Sequence, residues 1–77
     1  MTTTDIELDM IGQHCPMPLL KAKQALASMQ QGQVLHVAAT DPGSVRDFAA
    51  YCQLSGHELL SSELVDGIYY HRIKKTS

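Results

Sequence analysis

From Ile6 to Met10 the chain alternates: Ile6, Leu8 and Met10 are apolar, Glu7 and Asp9 acidic. A period of two predicts a half-buried strand. Gly12 breaks it, and from Pro18 the period changes. Leu19, Ala22, Leu26 and Met29 recur at three and four residues, with Ala25 beside them and Lys21, Lys23, Gln24 and Ser28 between. This predicts a helix with one buried face, stopped at Gly32. The mostly apolar run Val34–Thr40 reads as a buried strand. Next comes Asp41-Pro42-Gly43-Ser44, with Asp41 as N-cap and Pro42 as first helical residue, or Ser44 as a later cap. Val45, Phe48, Ala49 and Cys52 then keep helical spacing up to Gly56, which places Cys52 on an apolar face. Two strand-like runs, 58–65 and 68–73, flank Asp66-Gly67, a strong hairpin signal. The order is β, α, β, α, β, β. Two successive right-handed crossovers put both helices on one face of the sheet, an α/β two-layer sandwich.

The chemistry concentrates at Cys15-Pro16-Met17-Pro18, just ahead of the first helix. The opening turn of a helix leaves backbone N–H groups unsatisfied and carries the positive end of the helix dipole. A cysteine there is favoured as thiolate, the nucleophilic form. Pro16 suits the first helical position, with Cys15 as N-cap. Because Met17 precedes a proline, the alternative is an irregular first turn with regular helix from Pro18. The prolines donate nothing, which leaves the amides of Met17, Leu19 and Leu20 to receive an anion. The dipole is worth about 0.3–1 kcal/mol at an exposed terminus, so a moderately acidified thiol is expected.

Length and charge narrow the classes. Seventy-seven residues make one domain, 1–77, too short for a deep enclosed cleft. With a net charge of −2 and few aromatics, stable nucleic-acid binding is not expected. Cys15 and Cys52 match neither a CxxC motif nor a zinc knuckle, and His14, His36, His57 and His71 share no short ligand spacing, so no metal or cofactor is expected. No secretory signal and no membrane-length apolar run is present, which makes a cytoplasmic protein with reduced thiols the expectation.

The segments Leu8-Asp9, Gly12, Cys15-Pro16-Met17-Pro18, Asp41-Pro42, Arg46-Asp47, Cys52 and Gly56-His57-Glu58-Leu59 together resemble the TusA/SirA family of sulfur carriers, from about Ile6 to Lys75. The resemblance implies a mixed four-stranded sheet of order 1-2-4-3 with two helices on one side. It implies a sulfurtransferase-type carrier in which Cys15 takes a sulfane sulfur as a persulfide from a cysteine desulfurase or similar donor. The sulfur is then handed to an acceptor protein, toward 2-thiolation of the tRNA wobble uridine. Other branches serve sulfur oxidation, molybdenum-cofactor pathways or sulfur-compound transporters. His14 stands where other members carry a basic residue such as Arg, and Met17 fills the motif's variable position; both touch the partner-facing surface.

Pro16, Met17, Pro18, Lys21 and Arg46 are the expected partner-contact residues around the catalytic Cys15, in a monomer. Each has a plainer reading. Lys21 and Lys23, like Arg72, Lys74 and Lys75, are ordinary solvated cations or, for the first two, a docking face for an acidic partner. Arg46 pairs with Asp47 or Asp41, or points toward the Cys15 loop. His14 tunes the thiol or is simply a loop residue. Cys52 is a core residue; the sharper alternative makes it the resolving partner of Cys15 in a thiol redox sensor. A regulatory or RNA-binding module with a structural Cys-Pro-x-Pro is the other rival.

Overall fold

The computed structural model of the chain describes residues 5–14 and 17–76. Its elements are β1 (Ile6–Met10), α1 (Met17–Ser28), β2 (Val34–Ala39), α2 (Gly43–Ser55), β3 (Glu58–Val65) and β4 (Ile68–Lys74). They build a four-stranded sheet of order β1-β2-β4-β3. β1 runs parallel to β2; β2 with β4 and β3 with β4 are antiparallel. The parallel pair is the product of the first crossover, the β3–β4 pair that of the hairpin.

Both helices cover one face of this sheet. Ala22 and Leu26 from α1 and Phe48 and Cys52 from α2 meet Leu35, Val37 and Ile73 in a single buried cluster, joined by Met29 just past the end of α1. β2 is not buried on both sides, as an apolar run suggested. Leu35, Val37 and Ala39 are buried, while Val34, His36 and Ala38 are only partly covered. The helices form one layer, so the second face of β2 stays open.

Two helix ends differ from the pattern expected. α1 stops at Ser28 rather than at Gly32. The Ser28 hydroxyl donates to the Ala25 carbonyl at 3.1 Å, and the Lys75 ammonium donates to the Leu26 carbonyl at 2.6 Å. Side chains thus satisfy last-turn carbonyls, with a cation at the negative end of the helix. Lys75 is therefore a capping group, not idle surface charge. Gly32, at φ +96°, lies in the turn beyond, where its N–H donates to the Lys75 carbonyl. At the start of α2 the Ser44 N–H donates to the Asp41 carbonyl at 3.0 Å, and Ser44 is the second residue of the helix rather than its cap. Pro42 occupies the N-cap position in helical geometry with no side-chain cap bond.

Ser44 is instead turned into the core. Its hydroxyl lies 2.9 Å from Nε2 of His71, and Nδ1 of the same ring lies 2.8 Å from the Ser62 hydroxyl. His71 is fully buried, 4.7 Å from the Phe48 ring centroid and stacked with Tyr69. A neutral imidazole donates through one nitrogen and accepts at the other, so both sites are satisfied by the two hydroxyls. The buried face of α2 is consequently Ser44, Phe48 and Cys52; Val45 and Ala49, expected inside, are exposed.

The hairpin is built as its Asp-Gly pair predicts. Asp66 and Gly67 take φ +51° and +80°, the two positive angles that a two-residue turn matching strand twist requires. Gly67→Ala is expected to destabilise the fold by about 1 kcal/mol, because alanine is strained at that angle. Asp66→Gly, which relieves strain at the preceding position, should cost little. Urea unfolding of the two variants checks the contrast.

Candidate functional site

β1 and β2 are parallel, so the corners β1–α1 and β2–α2 both emerge at the same end of the sheet. In α/β sheets this carboxyl end of the strands is where helix N-termini converge and ligands bind. Three hydrogen bonds shape it. The Gln13 N–H donates to the Met10 carbonyl at 3.1 Å, with Gly12 at φ +83° inside that turn. The Ile11 N–H donates to Asp9 Oδ1 at 3.0 Å. The Gly12 N–H reaches across to Thr40 Oγ1 at 2.9 Å, which ties the two corners together.

Cys15 and Pro16 lie outside the described residues, so the expectations that Cys15 is the N-cap and Pro16 the first helical residue fall there too. The residues on either side are held close, since the Met17 N–H donates to the His14 carbonyl at 2.8 Å. That bond corrects one expectation: the Met17 amide is already used. Leu19 and Leu20, the other two amides expected as donors, lie in the first turn of α1. The helix runs from Met17, within one residue of the start near Pro18 that the sequence allowed.

The remaining candidates divide by burial. His14, Met17 and Lys21 are exposed, and so is Arg46 in the first turn of α2, at the same end of the sheet. Pro18, expected among the contact residues, is fully buried. It presents no surface to a partner. Lys23 points elsewhere, its ammonium 5.7 Å from the Tyr51 ring centroid, within cation–π range.

Four exposed apolar residues sit at or near this end that sequence periodicity did not single out as surface: Ile11, Met17 (38% exposed), Leu20 and Val45 (37% exposed). Leu20 falls off the three-and-four spacing of the buried face, which was the available signal. Val45 was masked by an apparent fit to that spacing in α2. Cys52 is buried, and burial pushes its thiol pKa up, so it is neither acidified nor open to solvent. Among the described residues no group of three or more His, Cys, Asp or Glu is arranged to hold a metal ion. Among them, too, no helix is long and apolar enough to cross a membrane.

A family model described as "Sulfurtransferase TusA" matches residues 6–75. The chain belongs to the TusA family. It is 50% identical over 76 residues to the sulfur carrier protein TusA of Allochromatium vinosum, covering 99% of this chain and all of that one. A putative sulfur carrier protein of Neisseria meningitidis is 53% identical over 62 residues, 80% of this chain and 84% of the other. The crystal structure of a SirA-like protein from Desulfitobacterium hafniense superposes with a TM-score of 0.83 at 27% identity, covering 94% of this chain and 99% of that one. A TusA-family sulfur carrier has, by the nature of the task, one partner that supplies sulfur and another that receives it.

Proposed function

We propose that Cys15 is the sulfur-carrying residue and that it works through a persulfide. The Cys15 thiolate attacks the outer sulfur of a donor persulfide, such as that of a cysteine desulfurase. A new S–S bond forms on Cys15, the donor's S–S bond breaks, and the donor leaves as thiolate. An acceptor protein's thiolate then attacks the outer sulfur on Cys15, and Cys15 leaves in turn. Each exchange conserves electrons, so no external oxidant or reductant enters. The acceptor route best matched by the family resemblance is 2-thiolation of the tRNA wobble uridine, in the cytoplasm and with a monomeric carrier.

The observation that supports this reading is the position of His14 and Met17, the neighbours of the Cys15-Pro16 pair in the chain. They are bonded to each other at the start of α1, at the end of the sheet where both helix N-termini converge. The first-turn donors of α1 favour a sulfur anion there, both as attacking thiolate and as stored persulfide. Around it, Met17 and Val45 offer apolar contact and Lys21 and Arg46 offer charge to a docking protein. Cys52, buried and with a raised thiol pKa, leaves the redox-sensor reading without an accessible resolving sulfur.

Incubation with a cysteine desulfurase and cysteine, followed by intact-mass measurement, tests the proposal. The protein is expected to gain one sulfur atom that reductant removes. Cys15→Ser should gain none, and Cys52→Ala should load as the parent does. Loading of Cys15→Ser, or loss of loading only in Cys52→Ala, would overturn the assignment.

A further inference from the structure

The face of the sheet opposite the helices carries a feature that sulfur transfer through Cys15 does not use. Along one row of the strand register, Asp9 on β1 faces Ala38 on β2, Ala38 faces Tyr70 on β4, and Tyr70 faces Glu63 on β3. Tyr70 is 42% exposed, an aromatic platform beside the small Ala38. Carboxylates close the row at both ends, about 14 Å apart across three strand spacings. The next row reads Glu7, His36, Arg72, Ser61. The one guanidinium there is engaged, since Arg72 Nε donates to the Ser61 hydroxyl at 2.9 Å. Together the rows line a shallow depression of about 590 Å³.

Charge divides unevenly between the two sides of the molecule. Asp5, Glu7, Asp9, Glu58 and Glu63, five of the eight carboxylate side chains, belong to the open face or its rim, against Arg72 and Lys74. Lys21, Lys23 and Arg46 lie on the helices. We infer that the open face of the sheet is a second docking surface, which takes an arginine- or lysine-bearing segment of a partner protein. A cationic side chain laid over Ala38 meets the Tyr70 ring at its flank and a carboxylate on either side. An aromatic face and carboxylates both attract a guanidinium, whereas an acidic segment or a nucleic acid backbone is repelled. This surface adjoins the β1–α1 corner at Asp9 and Ile11 but opens on the face of the sheet opposite the helices, and the inference stands whether or not Cys15 carries sulfur.

A short peptide of alternating arginine and glycine, titrated into the ¹⁵N-labelled full chain at low salt, is the test. Saturable amide-shift changes are expected at Ala38, Glu63 and Tyr70 and not along the helices. Glu7→Gln/Glu63→Gln should weaken binding about tenfold. Tyr70→Ser, which changes no charge, should weaken it about threefold through loss of the ring. The exposed helix pair Gln24→Lys/Gln53→Lys shifts net charge by the same amount as the double glutamine variant and should leave binding nearly unchanged. Well-dispersed spectra confirm that each variant is folded. Equal weakening by both double variants, shifts spread over the helices, no saturable binding, or equal binding of an aspartate–glycine peptide would each overturn the inference.

Discussion

Phe48→Ala is expected to destabilise the protein by about 3–5 kcal/mol, the usual cost of emptying a buried aromatic site. Phe48 is wholly inaccessible and is the largest side chain of the core. Its ring packs on the His71 imidazole at 4.7 Å between centroids, with the planes tilted by 55°. Removing it leaves a cavity between α2 and the sheet and strips one wall from the Ser44–His71–Ser62 bridge. A domain of this length has a total stability of only about 4–12 kcal/mol. The variant is therefore expected to lose a large share of that stability, with a sharply lowered urea midpoint. Phe48→Leu, which keeps most of the volume, should cost distinctly less. A small loss for Phe48→Ala would mean that the two helices and the sheet do not share the core described.

The second large effect is a dependence of stability on pH centred on His71. Burial lowers its pKa below the ordinary histidine value. In the unfolded chain the same ring titrates near the ordinary value, about 6.5. Below that pH the unfolded state takes up a proton that the folded state refuses, so stability falls as the solution is acidified. Above it both states are neutral and the dependence vanishes. His57, whose pKa is lowered by partial burial and by Lys75, contributes in the same direction. Urea midpoints measured between neutral and mildly acidic pH should therefore decline. His71→Gln keeps a donor and an acceptor for the serines but does not titrate; its profile should be markedly flatter. A parent profile with no decline, or a His71→Gln profile as steep as the parent's, would show that His71 is not held neutral inside the fold.

Much of the architecture was legible because it is written in local periods. The alternation of Ile6, Leu8 and Met10 and the Asp66-Gly67 turn each specify geometry through neighbouring residues. The spacing of Ala22 and Leu26 likewise marks one side of a helix. What was hidden depends on partners far away in the chain. Ser44 looked like a cap because serine ordinarily caps; only the arrival of His71, twenty-seven positions later, turns its hydroxyl inward. Val45 and Ala49 fitted the apolar spacing of α2, yet that helix is rotated so that Ser44, Phe48 and Cys52 face the sheet. Lys75 reads as surface charge until the end of β4 runs beside the last turn of α1. Of the site, the motif itself was visible at once; the convergence of two helix starts follows from the parallel pairing of β1 and β2. The burial of Pro18 was not legible, and neither was the use of the Met17 amide, which bonds to the His14 carbonyl three residues back.

The tie between Gly12 and Thr40 has a mechanical consequence. With Gly12 held by Thr40 and Met17 bonded back to His14, the β1–α1 and β2–α2 corners shift as one piece. A partner that docks on Met17 or Val45 therefore meets a single stiff surface rather than two independent loops.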